Sequence, residues 1–404
     1  MSALQTHLYF PELAMDEVAV FSQAIFASLG RADQRRWADL YLRGLMCLKG
    51  KKSIRRIAEG LPYPAAQSLQ QFLNQSPWDW NPVRRALHDY VARVMGPVAL
   101  SVGIVHIPKR GSHSIGVRRR FVKEADRLVN AQVGVGLFLT SERASVPVSW
   151  RIVLDGRWGS DPELRRKVAV PGEYRVDSVS GAVLDVVDEY GEYAYPGCGR
   201  ARPVLADLRG VPFPADVAAG LSARGREFVV EVDGALPVRQ VAGGRGRDGL
   251  PAAPVRSLWE GDGRRFPVLP VAVDGRRSRP AVTVLVQLPD APGPVRTFRV
   301  IAQRAAGAGG EGRYWVTNVV DQQRWGDATG MVLLHARHQA ELREFCGSFG
   351  VGDFQGRSFV GWNHHMTLSS AAFAGSRLVC GGRGAVARPS SWDVAGRVRQ
   401  YAGG

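Results

Sequence analysis

Apolar residues recur at intervals of three and four from Asp16 to about Arg93, and at Gly96-Pro97 that period gives way to strand-like runs. A helical period stacks side chains on one helix face, whereas a sheet needs alternate or continuous apolar positions, so this chain carries a helical unit followed by a sheet. Val18, Phe21, Ile25 and Phe26 mark a first helix; Trp37, Leu40, Tyr41, Leu45 and Leu48 mark a second, closed by Lys49-Gly50-Lys51-Lys52. Ser53 is the expected N-cap of a short helix through Ile54, Ile57, Ala58 and Leu61, broken by Pro62-Tyr63-Pro64. A helix over 65–74 then turns Leu69, Phe72 and Leu73 inward and leaves Gln67, Ser68, Gln70, Gln71 and Gln75 on its other face. Helix, tight turn and amide-rich helix form the outline of a helix-turn-helix. Asn81-Pro82 reads as cap and first residue of a further helix reaching Val94.

Beyond Gly96-Pro97 the runs 98–107, 131–140 and 146–154 are strands in succession, with a loop of Lys109, Arg110, Gly111, Ser112 and His113 after the first. Residues 203–207 form a buried strand ending on Asp207, followed by a helix over 214–224 and a strand over 228–232. Consecutive strands and then a strand-helix-strand unit predict a mixed sheet flanked by helices, an α+β or α/β fold. From 233 to 312 Gly, Pro and Arg dominate, as in 243–247, while 281–288 and 296–303 still read as strands. This is a β-rich insertion into the sheet. Helix returns at 332–346 and 362–373. The resulting division is 1–96 helical, 97–232 first part of the core, 233–312 insertion, 313–375 second part of the core and 376–404 a peripheral tail.

At 404 residues the chain is two domains, or one large domain with an insertion, and 45% hydrophobic residues with ten Trp suffice for a large core, which excludes disorder. Its apolar runs fall short of the roughly 18 residues a membrane helix needs. Glu12, Asp16 and Glu17 come early, with no basic segment leading into an apolar one, so no secretory leader is expected. Cys47, Cys198, Cys346 and Cys380 are scattered without metal-ligand spacing, which fits a reducing cytoplasm. The 53 Lys and Arg outnumber 37 Asp and Glu, a formal charge of +16. The surplus is concentrated: through Arg127, 19 basic residues face 10 acidic ones, and all six Lys except Lys167 lie there. A basic surface draws polyanions, and double-stranded DNA is the partner it predicts.

Three blocks together resemble one family, the DDE transposases of bacterial insertion sequences, in particular the IS seven-oh-one group. They are Lys52-Ser53-Ile54 through Gln67-Ser68-Leu69-Gln70-Gln71-Phe72-Leu73-Asn74-Gln75-Ser76-Pro77-Trp78-Asp79-Trp80; then Pro108-Lys109-Arg110-Gly111-Ser112-His113-Ser114-Ile115-Gly116-Val117; then Phe354-Gln355-Gly356-Arg357-Ser358 with Gly361-Trp362-Asn363-His364-His365. The resemblance implies a helical DNA-binding domain and an RNase H-like core with a β-rich insertion. It also implies two divalent metals, Mg²⁺ in the family, held by three carboxylates for phosphodiester displacement.

The places of the family's first carboxylate are Gly103 and Ile104, and residues 101–107 contain no acid. Asp207 matches the second. The third falls at Gln339, Gln355, Glu341 or Glu344, depending on alignment. An amide cannot offset a divalent charge as a carboxylate does. The expectation is therefore a degenerate triad, no resident metal and a transposase-like DNA-binding protein whose strand transfer is lost. Candidate nucleic-acid contacts are Lys51, Lys52, Arg55, Arg56, Gln67, Gln70 and Gln71 on the helical unit, with Lys109, Arg110, Arg357 and His365 from the other two blocks. Two alternatives stand beside it. One is a small-molecule enzyme using Asp207, His113 and His106, with His106 on the first strand beside the vacated acids; the other is an active transposase rebuilt around Glu341 or Glu344. The pair His364-His365 cannot face one metal, because adjacent helical residues point about 100° apart; one is expected to pack and the other to approach the cleft.

Overall fold

The computed structural model describes residues 12–61, 64–122, 126–193, 202–241, 251–260, 268–272, 278–304 and 312–380. The proline break at 62–63, Cys198, the Gly-Arg stretch 243–247 and the tail beyond 380 lie outside them. Five helices open the chain: α1 (Glu12–Phe26), α2 (Ala32–Cys47), α3 (Ile54–Glu59), α4 (Ala66–Asn74) and α5 (Trp80–Met95). The stripe Val18, Phe21, Ile25 and Phe26 is buried, as are Leu69, Phe72 and Leu73. Ser53 caps α3 by accepting from the Arg56 amide. The cap of α5 is Asp79, not Asn81: its carboxylate accepts the Asn81 amide, and Pro82 sits within the first turn, where a missing N–H costs nothing. Gly96, at φ 54°, ends α5 in the left-handed region that favours glycine.

Strands β1 (Ala99–Pro108), β2 (Arg118–Val122), β3 (Arg127–Thr140) and β4 (Ser145–Ile152) follow, then helices α6 (Arg157–Ser160), α7 (Pro162–Lys167) and α8 (Val179–Tyr193). Strand β5 (Val204–Asp207), α9 (Pro214–Ala223) and β6 (Phe228–Val232) form the expected strand-helix-strand unit. The Arg118-Arg119-Arg120 run opens β2, which pairs antiparallel with the start of β3. Strands β7 (Pro237–Gln240) and β8 (Ala253–Pro254), helix α10 (Ser257–Glu260), and strands β9 (Val268–Ala272), β10 (Ser278–Gln287), β11 (Thr297–Gln303) and β12 (Arg313–Thr317) make up the β-rich stretch. Two long helices finish the fold, α11 (Trp325–Ser348) and α12 (Phe359–Gly375), followed by a π-helical turn at Ser376–Cys380.

The centre of the twelve-stranded sheet runs β4-β3-β1-β5-β6. β1, β5 and β6 are parallel, and β3 is antiparallel to both β1 and β4. That order is RNase H-like. The inserted strands do not form a separate layer: β11 and β10 continue the sheet outward from β12, which itself pairs with β6. Helices α8 and α9 cover one face, while α11, α12 and the N-terminal helices cover the other. β3 comes close to its neighbours through Gly136, where a Cβ would meet the Trp150 ring at 2.7 Å.

Helix α12 is buried on nearly every side, which places it at the centre of the molecule rather than on its surface. The helical unit packs directly onto it. Arg84 of α5, itself 1% exposed, donates to Thr367 Oγ1 at 2.9 Å, Asn363 Oδ1 at 2.9 Å and the Trp150 carbonyl at 3.2 Å, joining α5, α12 and β4. A single apolar cluster runs from Val18 through the sheet to Ala374.

Candidate active-site cluster and nucleic-acid interface

Asp207 ends β5 in register with Glu231 on the neighbouring parallel strand β6, so the two carboxylates share the face covered by α11. Glu231 is fully buried and His335 of α11 meets it, with Nε2 3.0 Å from Oε2. Arg313 from β12 donates to both Glu231 oxygens, at 2.8 and 2.7 Å, and its guanidinium lies 4.7 Å from the Trp315 ring centroid. Arg209 closes on Asp207 in the same bidentate way, at 2.9 and 2.5 Å, and reaches Glu231 at 3.4 Å. Burial pushes the Glu231 carboxyl up, but hydrogen bonds from Arg313 and His335 outweigh that and hold it down at about 2. The hydrogen bond to Asp207 is the main reason the Arg209 guanidinium is still harder to deprotonate than usual. Ligand atoms of Asp207, Glu231 and His335 lie within 4.8 Å of one another, the one such trio among the described residues.

The place that the resemblance gives to the first acid is one strand away. By the β1–β5 register Gly103 lies level with Asp207, and a Cβ added there would meet Phe138 Cε2 at 2.8 Å and Leu342 Cδ1 at 2.9 Å. Apolar side chains occupy the volume a carboxylate would need. Beside it a buried polar chain runs from Ser101 Oγ to Thr140 Oγ1 at 2.7 Å, on to Ser145 Oγ at 2.7 Å and to His338 Nδ1 at 3.0 Å. Burial drives His338 down to about 3, so the imidazole is neutral. Neither glutamate candidate for the third acid joins Asp207. Glu341 pairs with Arg377 at 2.8 Å and lies about 120° around α11 from His335, and Glu344 lies on the opposite side, by the 100° helical step. Gln355 is exposed before α12, and the Gln339 amide nitrogen is buried without a partner. A two-metal, three-carboxylate centre therefore does not fit these residues.

The structure does not assemble Asp207, His106 and His113. Side chains alternate along β1, and Gly103 and Val105 face the α11–α12 side, so His106 faces the other way from Asp207. It is exposed rather than buried, and His113 lies exposed on the loop beyond β1, which runs about 16 Å past Gly103 at the strand rise. Lys52 is corrected as a DNA contact. It is 5% exposed, its ammonium donates to the Leu45 carbonyl, and its amide donates to Asp353 at 2.8 Å. His365 is corrected likewise: at 1% exposure its Nε2 donates to the Gly350 carbonyl at 3.0 Å, which leaves Nδ1 to accept from Tyr41 Oη at 3.0 Å, and the ring stacks on Phe354. Neither member of the histidine pair approaches a cleft, because His364 is also buried, stacked on Trp78 at 3.7 Å. Lys109 spends its ammonium on the Phe354 carbonyl at 2.5 Å, and burial pushes it down to about 8.

The remaining candidates lie open. Lys51, Arg55, Arg56, Gln67, Gln70, Gln71, Arg110 and Arg357 are exposed, and the three glutamines share one face of α4 opposite its buried stripe. Sequence reasoning missed Glu231, His335, Arg209 and Arg313. A signal existed for one of them: Glu231 is the only charge in a Phe-Val-Val-Glu-Val strand, and a buried carboxylate demands a partner.

A β4-β3-β1-β5-β6 sheet with an acidic residue at the carboxyl end of β5 and a long helix returning across it defines the RNase H-like class of nuclease folds. The family model described as DDE superfamily endonuclease matches residues 24–254, and the chain belongs to that family. No curated protein matches it. No helix among the described residues is long and apolar enough to cross a membrane.

Proposed function

We propose that this chain is a double-stranded-DNA-binding, transposase-like protein whose strand-cutting activity has been lost. The observation that carries the reading is Gly103, packed against Phe138 and Leu342 where the family's first carboxylate belongs. With that position filled by hydrocarbon, Asp207 is the one family acid left, and its oxygens are engaged by Arg209. Binding has separate support. Gln67, Gln70 and Gln71 offer free amide faces on a helix preceded by exposed Lys51, Arg55 and Arg56, so phosphate contacts can position a duplex while glutamine pairs with adenine edges.

The test is a mobility-shift series with genomic fragments, together with a nicking assay in Mg²⁺ and Mn²⁺. Salt-dependent binding without metal-dependent nicking is expected. Absence of binding to any duplex at low salt, or nicking abolished by Asp207→Ala, would overturn the reading.

A further inference from the structure

Asp207 and Glu231 stand side by side on adjacent parallel strands, and two carboxylates so placed cannot both ionise unless cations offset them. The family resemblance places divalent ions at Asp207, with two other acids beside it and not Glu231. Here the offsetting charge comes from the chain itself. Arg209 and Arg313 each close a two-point pair on one carboxylate, Arg209 also reaches the other, and Arg313 is held in place by Trp315. The neutralising charge is covalently attached, so the cluster needs no metal to be stable.

The same geometry leaves a ligand set behind the guanidiniums. His335 Nε2 and one oxygen each from Asp207 and Glu231 lie within 4.8 Å of one another, which small side-chain rotations convert to the ~2.0–2.2 Å bonds of a shared ion. Imidazole with two carboxylates suits Zn²⁺, Co²⁺ or Mn²⁺ better than Mg²⁺, which favours oxygen alone. An ion entering now would meet two positive charges on the atoms it must bind.

We propose that Arg209 and Arg313 form a guanidinium lock over a latent single-metal site made of Asp207, Glu231 and His335. The lock rests on the reading that two-metal chemistry is gone, but its readout is metal uptake and not DNA cleavage. Co²⁺ is the probe, because its visible d–d bands report nitrogen and carboxylate ligation, and circular dichroism checks that each variant is folded.

The Arg209→Gln/Arg313→Gln variant is expected to bind one Co²⁺ more than about tenfold tighter than the wild-type chain, the two relieved repulsions being coupled because both guanidiniums reach Glu231. Adding His335→Ala to it should abolish the bands. Arg209→Gln alone, on an exposed loop, should gain about tenfold and serves if the double variant does not fold. Folded variants with no gain would overturn the lock. So would stoichiometric Co²⁺ uptake by the wild-type chain, which without DNA nicking would leave the loss of cleavage standing.

Discussion

The amide face of α4 and the carboxylate cluster at the ends of β5 and β6 are both polar, and they differ in where their hydrogen-bonding capacity goes. Gln67, Gln70 and Gln71 face solvent, so a base edge can replace water at little cost. Asp207 and Glu231 are closed by guanidiniums and His335, and any ligand would first have to break ion pairs that reach the fully buried Glu231. One surface is available to a partner; the other has turned inward and become structure. On the function proposed, the binding surface of such a fold is kept while its cutting site is lost.

The sharpest test of that contrast is Glu231→Ala. It strands the fully buried His335 and takes the carboxylate from the half-buried Arg313, and the loss expected from breaking such a pair is about 3 kcal/mol, read from urea unfolding. The pH dependence has a definite sign. The folded carboxyl titrates near 2 against an ordinary 4.5, so its contribution is fully present above pH 4.5 and is lost as pH falls towards 2. The wild-type chain should lose about 3 kcal/mol from this group across that window, and Glu231→Gln should flatten the acid limb. An unchanged acid limb would mean the cluster is not the structural element described.

Gly103→Asp tests whether the vacated place can be refilled. The Cβ of an aspartate there meets Phe138 and Leu342 below 3 Å, so overpacking and an unpaired buried charge should together cost about 3 kcal/mol or more. A folded variant that nicks DNA in Mn²⁺ would break the comparison, because it would show that the site is still a catalytic scaffold.

How much of this was legible follows the physics of each feature. The change of period at Gly96-Pro97, the Ser53 cap and the inward stripe of α4 are local, and the structure keeps them. The β5-α9-β6 unit and Asp207 at its strand end were legible for the same reason. Lys52 was read as surface because lysine is usually exposed, yet Asp353, 301 positions away, folds over it. His365 was read as open to the cleft, but α12 has no solvent side, and burial holds that imidazole neutral down to about 3. Glu231, His335, Arg209 and Arg313 come from two strands, a loop and a helix. Their meeting is fixed by strand register and by the pairing of β12 with β6 across the intervening insertion, which no spacing rule encodes.

The open face can be examined with smaller effects. Gln67→Ala, Gln70→Ala and Gln71→Ala should each leave stability within about 0.5 kcal/mol, since these side chains pack against nothing that the change exposes. Where one of them reads an adenine, binding to the preferred duplex should fall by about 1–3 kcal/mol while non-specific binding is retained. Equal losses on all duplexes would reassign α4 to backbone contact.

Arg56→Ala carries the smallest and most diagnostic expectation. Arg56 is exposed and its guanidinium donates to the Lys51 carbonyl at 3.2 Å, whereas Arg55 beside it is paired with Glu59 at 3.0 Å. A phosphate contact releases counterions, so its loss should shrink the slope of log affinity against log salt by about one unit, whatever the duplex sequence. Arg55 must leave Glu59 to reach phosphate, so Arg55→Ala should change the slope less than Arg56→Ala. A larger change at Arg55 would place the duplex on the Glu59 side of α3 and redraw the surface that α4 is taken to present.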